Sequence, residues 1–138
     1  MYRRILVGYD GSKQAHKALE TALALAKYFG AKVTVVEAVP HPLDSPETYV
    51  KEDVKTKEKI IRHKEEVELL GRTRGVKVEY KVIRGSPTLA LSKVAEEENA
   101  DLIVVGNRGI KGIKKLFVES VSSKVMESSR RSVLVVKD

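Results

Sequence analysis

The sequence predicts a three-layer α/β domain, a parallel sheet with helices on both faces, within a chain of 138 residues. Three observations carry that reading. Short aliphatic or β-branched runs alternate with segments whose apolar residues recur at helical spacing, giving a βαβαβαβαβ order. The run Leu102–Val105 shows no polar alternation, as expected of a central parallel strand covered on both faces. A chain of this length buries about 70% of its unfolded surface around one core, so residues 1–138 are read as a single domain.

Taken in order, Ile5 to Tyr9 form the first strand, and Asp10-Gly11-Ser12 break it with turn-forming residues. From Ser12 to Phe29 the apolar positions Ala15, Ala18, Leu19, Ala22, Leu23 and Ala26 follow the i, i+3, i+4, i+7 series of a helix packed on a sheet, and Gly30 closes it. Lys32 to Val39 (KVTVVEAV) is the second strand. Pro40 and Pro42 stop it, and a loop runs on through about Tyr49. Val54, Ile61, Val67 and Leu70 mark the apolar stripe of a highly charged second helix that ends near Gly71–Gly75. Val76 to Ile83 alternates Val78, Tyr80 and Val82 with Lys77, Glu79 and Lys81, the pattern of an edge strand with one wet face. Ser86-Pro87 starts the third helix as a cap followed by proline at its first position, with Leu89, Ala90, Val94 and Ala95 as its buried stripe and Asn99 at its end. A glycine loop follows Leu102–Val105, then a last helix over about 120–129 and a closing strand, Val133 to Val136.

Composition narrows the function classes. Hydrophobic residues make up 42% and charged residues 33%, enough apolar material for a core under a densely charged surface. A net charge of +7 suits nucleic acid, an anionic surface or a phosphorylated small molecule, and equally an ordinary solvated surface of mixed Lys, Arg and Glu. Aromatic residues are 5% with no Trp, so stacking platforms for single-stranded nucleic acid are scarce. The absence of Cys excludes disulfides, a thiol nucleophile and a thiolate metal site. No apolar run approaches membrane-spanning length and MYRRILVGYD carries no secretory h-region, so a cytoplasmic location is expected. His16, His41 and His63 lack paired metal-ligand spacing and read as surface or lightly packed residues. No G-x-S-x-G is present, so hydrolysis has no named catalyst.

The chemistry concentrates in Asp101–Ser123, DLIVVGNRGIKGIKKLFVESVSS. A parallel strand that ends in glycines next to a helix N-terminus leaves backbone N–H groups and a positive dipole end converging on one point, which suits a phosphate. Gly106 and Gly109 let backbone approach closely, Ser120 can cap the helix and donate to a phosphate oxygen, and Arg108, Lys111, Lys114 and Lys115 add positive field. The same glycines would also serve a plain chain reversal, the serines would suit any helix start, and Asp10 followed by Gly-Ser is a common turn former. Ligands of doubly wound sheets collect beyond the strand C-termini where the strand order reverses. If the first and fourth strands flank that switch, Asp10 and Gly106 face one crevice.

Gly106-Asn-Arg-Gly109, nine residues, then Glu119-Ser120 resembles the signature G-x2-G-x9-G-[S/T] of the universal stress protein family. RRILVGYDGS, ADLIVVGNRG and SVLVVK resemble family landmarks in the expected order, covering nearly the whole chain. The resemblance implies an adenine nucleotide alpha-hydrolase-like fold with strand order 3-2-1-4-5, homodimers, and in many members ATP in the crevice, with Mg or Mn as its companion metal. It further implies Asp10 near the adenosine, the backbone around Ala38 and Val39 against the base, and Gly106, Arg108, Gly109, Ser120, Val121 and Ser122 around ribose and phosphates. Stress response as a nucleotide-dependent switch or binding module, with at most weak ATP hydrolysis, is the function it implies.

One position departs from the signature: Glu119 stands where its third glycine belongs. A carboxylate about 6 Å from a phosphate charge costs about 0.7 kcal/mol at the dielectric of water and roughly 3 at an effective 20, enough for a tenfold loss of affinity. Glu119 can swing to solvent, pair with a Lys or Arg of its own loop, occupy the helix N-terminus as a built-in anion, or share a metal with the phosphates. The alternative function is therefore a dimeric scaffold of this fold that binds no nucleotide. A phospho-acceptor receiver is disfavoured because Ile83 leads into Arg84-Gly85-Ser86 rather than an acceptor Asp, and a dinucleotide enzyme because the first turn is YDGS rather than G-x-G-x-x-G. No nucleic-acid motif is present. The short apolar end strand calls for a cover, which predicts a homodimer through Val133–Val136.

Overall fold

A computed structural model of the chain describes residues 1–39, 46–107 and 131–137, with backbone alone over 46–53. The described elements are β1 (Arg4–Gly8), α1 (Lys13–Phe29), β2 (Lys32–Val39), α2 (Pro46–Arg74), β3 (Val78–Arg84), α3 (Pro87–Glu98), β4 (Leu102–Gly106) and β5 (Ser132–Val136). The strands form one sheet in the order β3-β2-β1-β4-β5, and every pairing is parallel. The expected architecture is thus present. Its last expected helix, 120–129, lies outside the described residues.

Strand alternation sorts the core into two halves, because successive side chains of a strand point to opposite faces. Ile5, Val7, Val33, Val35, Leu102 and Val104 meet the stripe Ala18, Leu19, Ala22 and Leu23 of α1 and Val67 of α2. On the other face Leu6, Val36, Ile103 and Val105 meet Ala90, Leu91, Val94 and Ala95 of α3. β1 is central: Val7 registers with Val35 of β2 and with Val104 of β4. Both of its faces are therefore covered, and its C-terminal end opens at the point where the strand order reverses.

Local signals set the element ends. The Ser12 side chain accepts from the Ala15 N–H at 3.1 Å and caps α1. Ser86 accepts from the Leu89 N–H at 3.3 Å and, with Pro87 first in the helix, starts α3, whose end falls at Asn99. Three expectations shift. α2 begins at Pro46 rather than beyond Tyr49, with proline at its first position as in α3. β3 begins at Val78, because the Val76 N–H bonds back to the Gly71 carbonyl at 2.9 Å and so belongs to the exit of α2. The helix stripes also move by a residue or two. Leu89 is 63% exposed while Leu91 is buried, and Val54 and Ile61 are exposed while His63 and Val67 are buried. A polar residue holds the inward position that the apolar periodicity assigned to Ile61.

At the strand N-terminal end the molecule is tied shut. Thr34 donates to Glu98 at 2.8 Å and Lys81 pairs with the same carboxylate at 3.1 Å. Arg131 donates to the Ala95 and Ala100 carbonyls at the end of α3. The opposite end is organised differently.

Candidate functional site

A cleft of about 190 Å³ opens at the C-terminal ends of β1 and β4, on the α3 face. It exists because the strand ends carry little side chain: Gly8 closes β1 and Gly106 closes β4, with Ala38 on the neighbouring β2. Gly106 has no room for more. A Cβ there would stand 2.7 Å from the carbonyl carbon and oxygen of Gln14, so the start of α1 packs directly on the end of β4. Apolar walls come from Val36, Leu91 and Val105, and polar groups from Asp10, Ser12 and Thr88. An apolar concavity with a few convergent polar groups is the usual form of a small-molecule site.

The β1–α1 turn forms the rim. The Asp10 carboxylate accepts from the Ser12 N–H at 2.8 Å, spanning Gly11, while the Tyr9 N–H bonds the Val36 carbonyl at 2.9 Å. Gly11 takes φ +81, a left-handed conformation that side chains resist, and a Cβ on it would lie 2.3 Å from Nε2 of His63. Glycine is thus required there twice over, by backbone and by neighbour.

Of the residues the sequence assigned to the site, Asp10, Ala38 and Gly106 line this one cleft. Val39 is buried beside it, and its carbonyl accepts from the Gly85 N–H at 2.8 Å. Arg108, Gly109, Glu119, Ser120, Val121 and Ser122 lie outside the described residues. Leu91, Val105 and Thr88 escaped the sequence reading, since a wall residue of a cleft has the same spacing as a core residue. Among the described residues no cluster of three or more His, Cys, Asp or Glu could hold a metal.

Behind the rim lies a buried polar group that the sequence also left unassigned. Glu37 is 3% exposed and His63 7%, so the histidine expected to be at the surface or lightly packed is buried. Nδ1 of His63 contacts both Glu37 oxygens, at 3.0 and 2.9 Å, and the Tyr80 hydroxyl donates to Glu37 Oε1. Burial, followed by that hydrogen bond, pushes the Tyr80 phenol well above its ordinary value, so the hydroxyl keeps its proton and donates. Tyr9 packs edge-on against the His63 ring at 5.5 Å. Burial, with Glu66, Glu37 and Asp10 nearby, likewise raises the Tyr9 phenol. The signal in the sequence was Glu37 itself, a lone acid inside the valine-rich second strand.

The model of the universal stress protein family matches residues 1–137. The chain belongs to the universal stress protein family. A universal stress protein of Thermus aquaticus is 34% identical over 142 aligned positions, covering 99% of this chain and all of that protein. Universal stress protein YxiE of Bacillus subtilis is 32% identical, again over 99% of this chain and all of the relative. A family structure from Burkholderia pseudomallei superposes with a TM-score of 0.72 at 27% identity, covering 98% of this chain and 96% of that one. A universal stress protein solved in complex with cAMP superposes with a TM-score of 0.70 at 28% identity, over 98% of this chain and 97% of its own. These structures share the three-layer fold of this family member. No helix among its described residues is long and apolar enough to cross a membrane.

Proposed function

We propose that this family member binds an adenine nucleotide, ATP, in the cleft between the ends of β1 and β4, and acts in the stress response as a cytoplasmic, nucleotide-dependent switch or binding module. The single observation that carries the reading is the convergence of Asp10, Ala38 and Gly106, far apart in the chain, on one small apolar cleft at the strand-order reversal. The cAMP complex of a relative with 28% identity supports the adenine nucleotide class. Val36, Ala38, Leu91 and Val105 offer apolar surface to a base, and the Asp10 carboxylate suits a ribose hydroxyl. The phosphates are assigned, on the family signature, to Arg108, Gly109, Ser120, Val121 and Ser122, which follow Gly106 in the sequence, with Mg or Mn as companion where a metal takes part. ATP is held as ligand rather than rapidly consumed substrate, with slow hydrolysis at most. Calorimetric titration with ATP tests this: a dissociation constant on the order of micromolar is expected, and no heat at millimolar ATP with Mg²⁺ removes the reading.

Glu119 favours a second reading, a dimeric scaffold whose phosphate site is closed by its own carboxylate. Glu119→Gly separates the two. A gain in ATP affinity of about tenfold or more supports closure by Glu119, and an unchanged affinity rejects it. In both readings the chain pairs as a homodimer across β5, where Val133 is 40% exposed at the sheet edge. Light scattering at several concentrations decides this: a constant mass near 15.3 kDa would rule the dimer out.

A further inference from the structure

The rim of the cleft is held from behind by a residue that does not line it. We propose that His63 is a positioning residue for nucleotide binding: fixed by Glu37, its ring seats the Asp10-Gly11-Ser12 turn, an inference that rests on the nucleotide reading above.

The geometry runs in one chain of contacts from α2 to the cleft. Glu37, inward-facing on β2, holds both carboxyl oxygens against Nδ1 of His63, at 2.9 and 3.0 Å. Tyr80 of β3 donates to the same carboxylate. With Nδ1 so engaged, the opposite edge of the ring is aimed at Gly11, where a Cβ would meet Nε2 at 2.3 Å and Cε1 at 2.5 Å. Gly11 is the middle of the turn that Asp10 and Ser12 close by hydrogen bond. Asp10 and Ser12 both line the cleft, and so does Tyr9, whose ring meets the His63 ring edge-on. A shift of the imidazole therefore moves three lining residues together. Glu66 on α2 and Asp10 in the turn lie near the Tyr9 ring that packs on the imidazole.

The test is calorimetric titration of the full chain with ATP, for wild type, His63→Gln and Glu37→Gln, with the amide NMR spectrum of each recorded beside it. Urea unfolding of each variant shows that the protein titrated is folded. His63→Gln is expected to bind ATP about five- to tenfold more weakly and to shift the Asp10, Gly11 and Ser12 amides while the Thr34 amide at the closed end stays in place, with Glu37→Gln falling between the two. Variants whose affinity and turn amides match wild type overturn the inference and leave the nucleotide reading standing. No heat from wild type removes that reading, and the inference with it. Should His63→Gln fail to fold, the isosteric Glu37→Gln, which keeps the ring but replaces one of the two oxygens that hold it with a donor, decides in its place.

Discussion

The two faces of the sheet meet at the end of β1 and β2, and there they are finished in opposite ways. Residues of one parity, Gly8, Val36 and Ala38, face α3 and leave a cleft. Residues of the other parity turn their side chains to α2: the Tyr9 ring, whose residue also borders the cleft, meets His63 edge-on, and Glu37 bonds His63 and Tyr80. The face that is left open carries small side chains, and the face that is filled carries the buried charge. A strand end can thus present an empty site on one side while the other side supplies its rigidity, because alternation separates the two tasks residue by residue. Rigid backing matters for a small site, since a pre-formed cleft spends less of its binding energy on ordering itself.

The contrast can be broken first on the filled side. Glu37→Ala leaves the His63 and Tyr80 polar groups facing a void, and each buried polar group left without a partner costs about 1 to 3 kcal/mol. Urea denaturation should show a drop of that order; a change of a few tenths would mean that water replaces the carboxylate and that the cluster is not the backing described. On the open side, Gly106→Val forces α1 away from the end of β4, where the Cβ alone meets Gln14 at 2.7 Å. Overpacking of this kind costs about 1 to 3 kcal/mol, and the variant should also lose ATP binding while it remains folded. Retained affinity would place the ligand elsewhere.

Ser12→Ala removes the cap of α1 at the rim and should cost about 1 kcal/mol in unfolding experiments. Far from both sides, Lys32 and Glu79 pair across β2 and β3 at 2.6 Å on partly exposed side chains. The hydrogen bond from Lys32, then its charge, holds the Glu79 carboxyl below its ordinary 4.5. A depressed carboxyl stabilises the fold above its unfolded value and loses that contribution as pH falls through the folded one. Lys32→Ala should therefore reduce stability by less than about 1 kcal/mol at neutral pH, with the difference from wild type vanishing in acid. An equal difference at low pH would assign the effect to lost side-chain packing instead.

Much of the fold was legible because its signals are local. The unbroken run Leu102–Val105 gave a central strand, Ser86-Pro87 gave a helix start, and the polar alternation around Tyr80 gave an edge strand. The meeting of Asp10 with Gly106 followed from where doubly wound sheets reverse their strand order. What escaped was set by partners distant in sequence. His63 reads as one more polar residue on a charged helix until Glu37, on a strand many residues earlier, is placed beneath it. Leu91 and Leu89 are indistinguishable by composition, and a two-residue rotation of the helix decides which becomes a cleft wall. Ser45-Pro46 carried the same start signal as Ser86-Pro87, but the neighbouring prolines masked it as loop.

The most direct measurement of the central claim is an amide NMR titration of the ¹⁵N-labelled full chain with ATP. Binding at the cleft predicts saturable shifts at Gly8, Asp10, Ser12 and Gly106, with Thr34 and Glu98 at the closed end of the sheet unmoved. Shifts confined to that closed end, or spread over the lysine-rich surface without saturation, would contradict it.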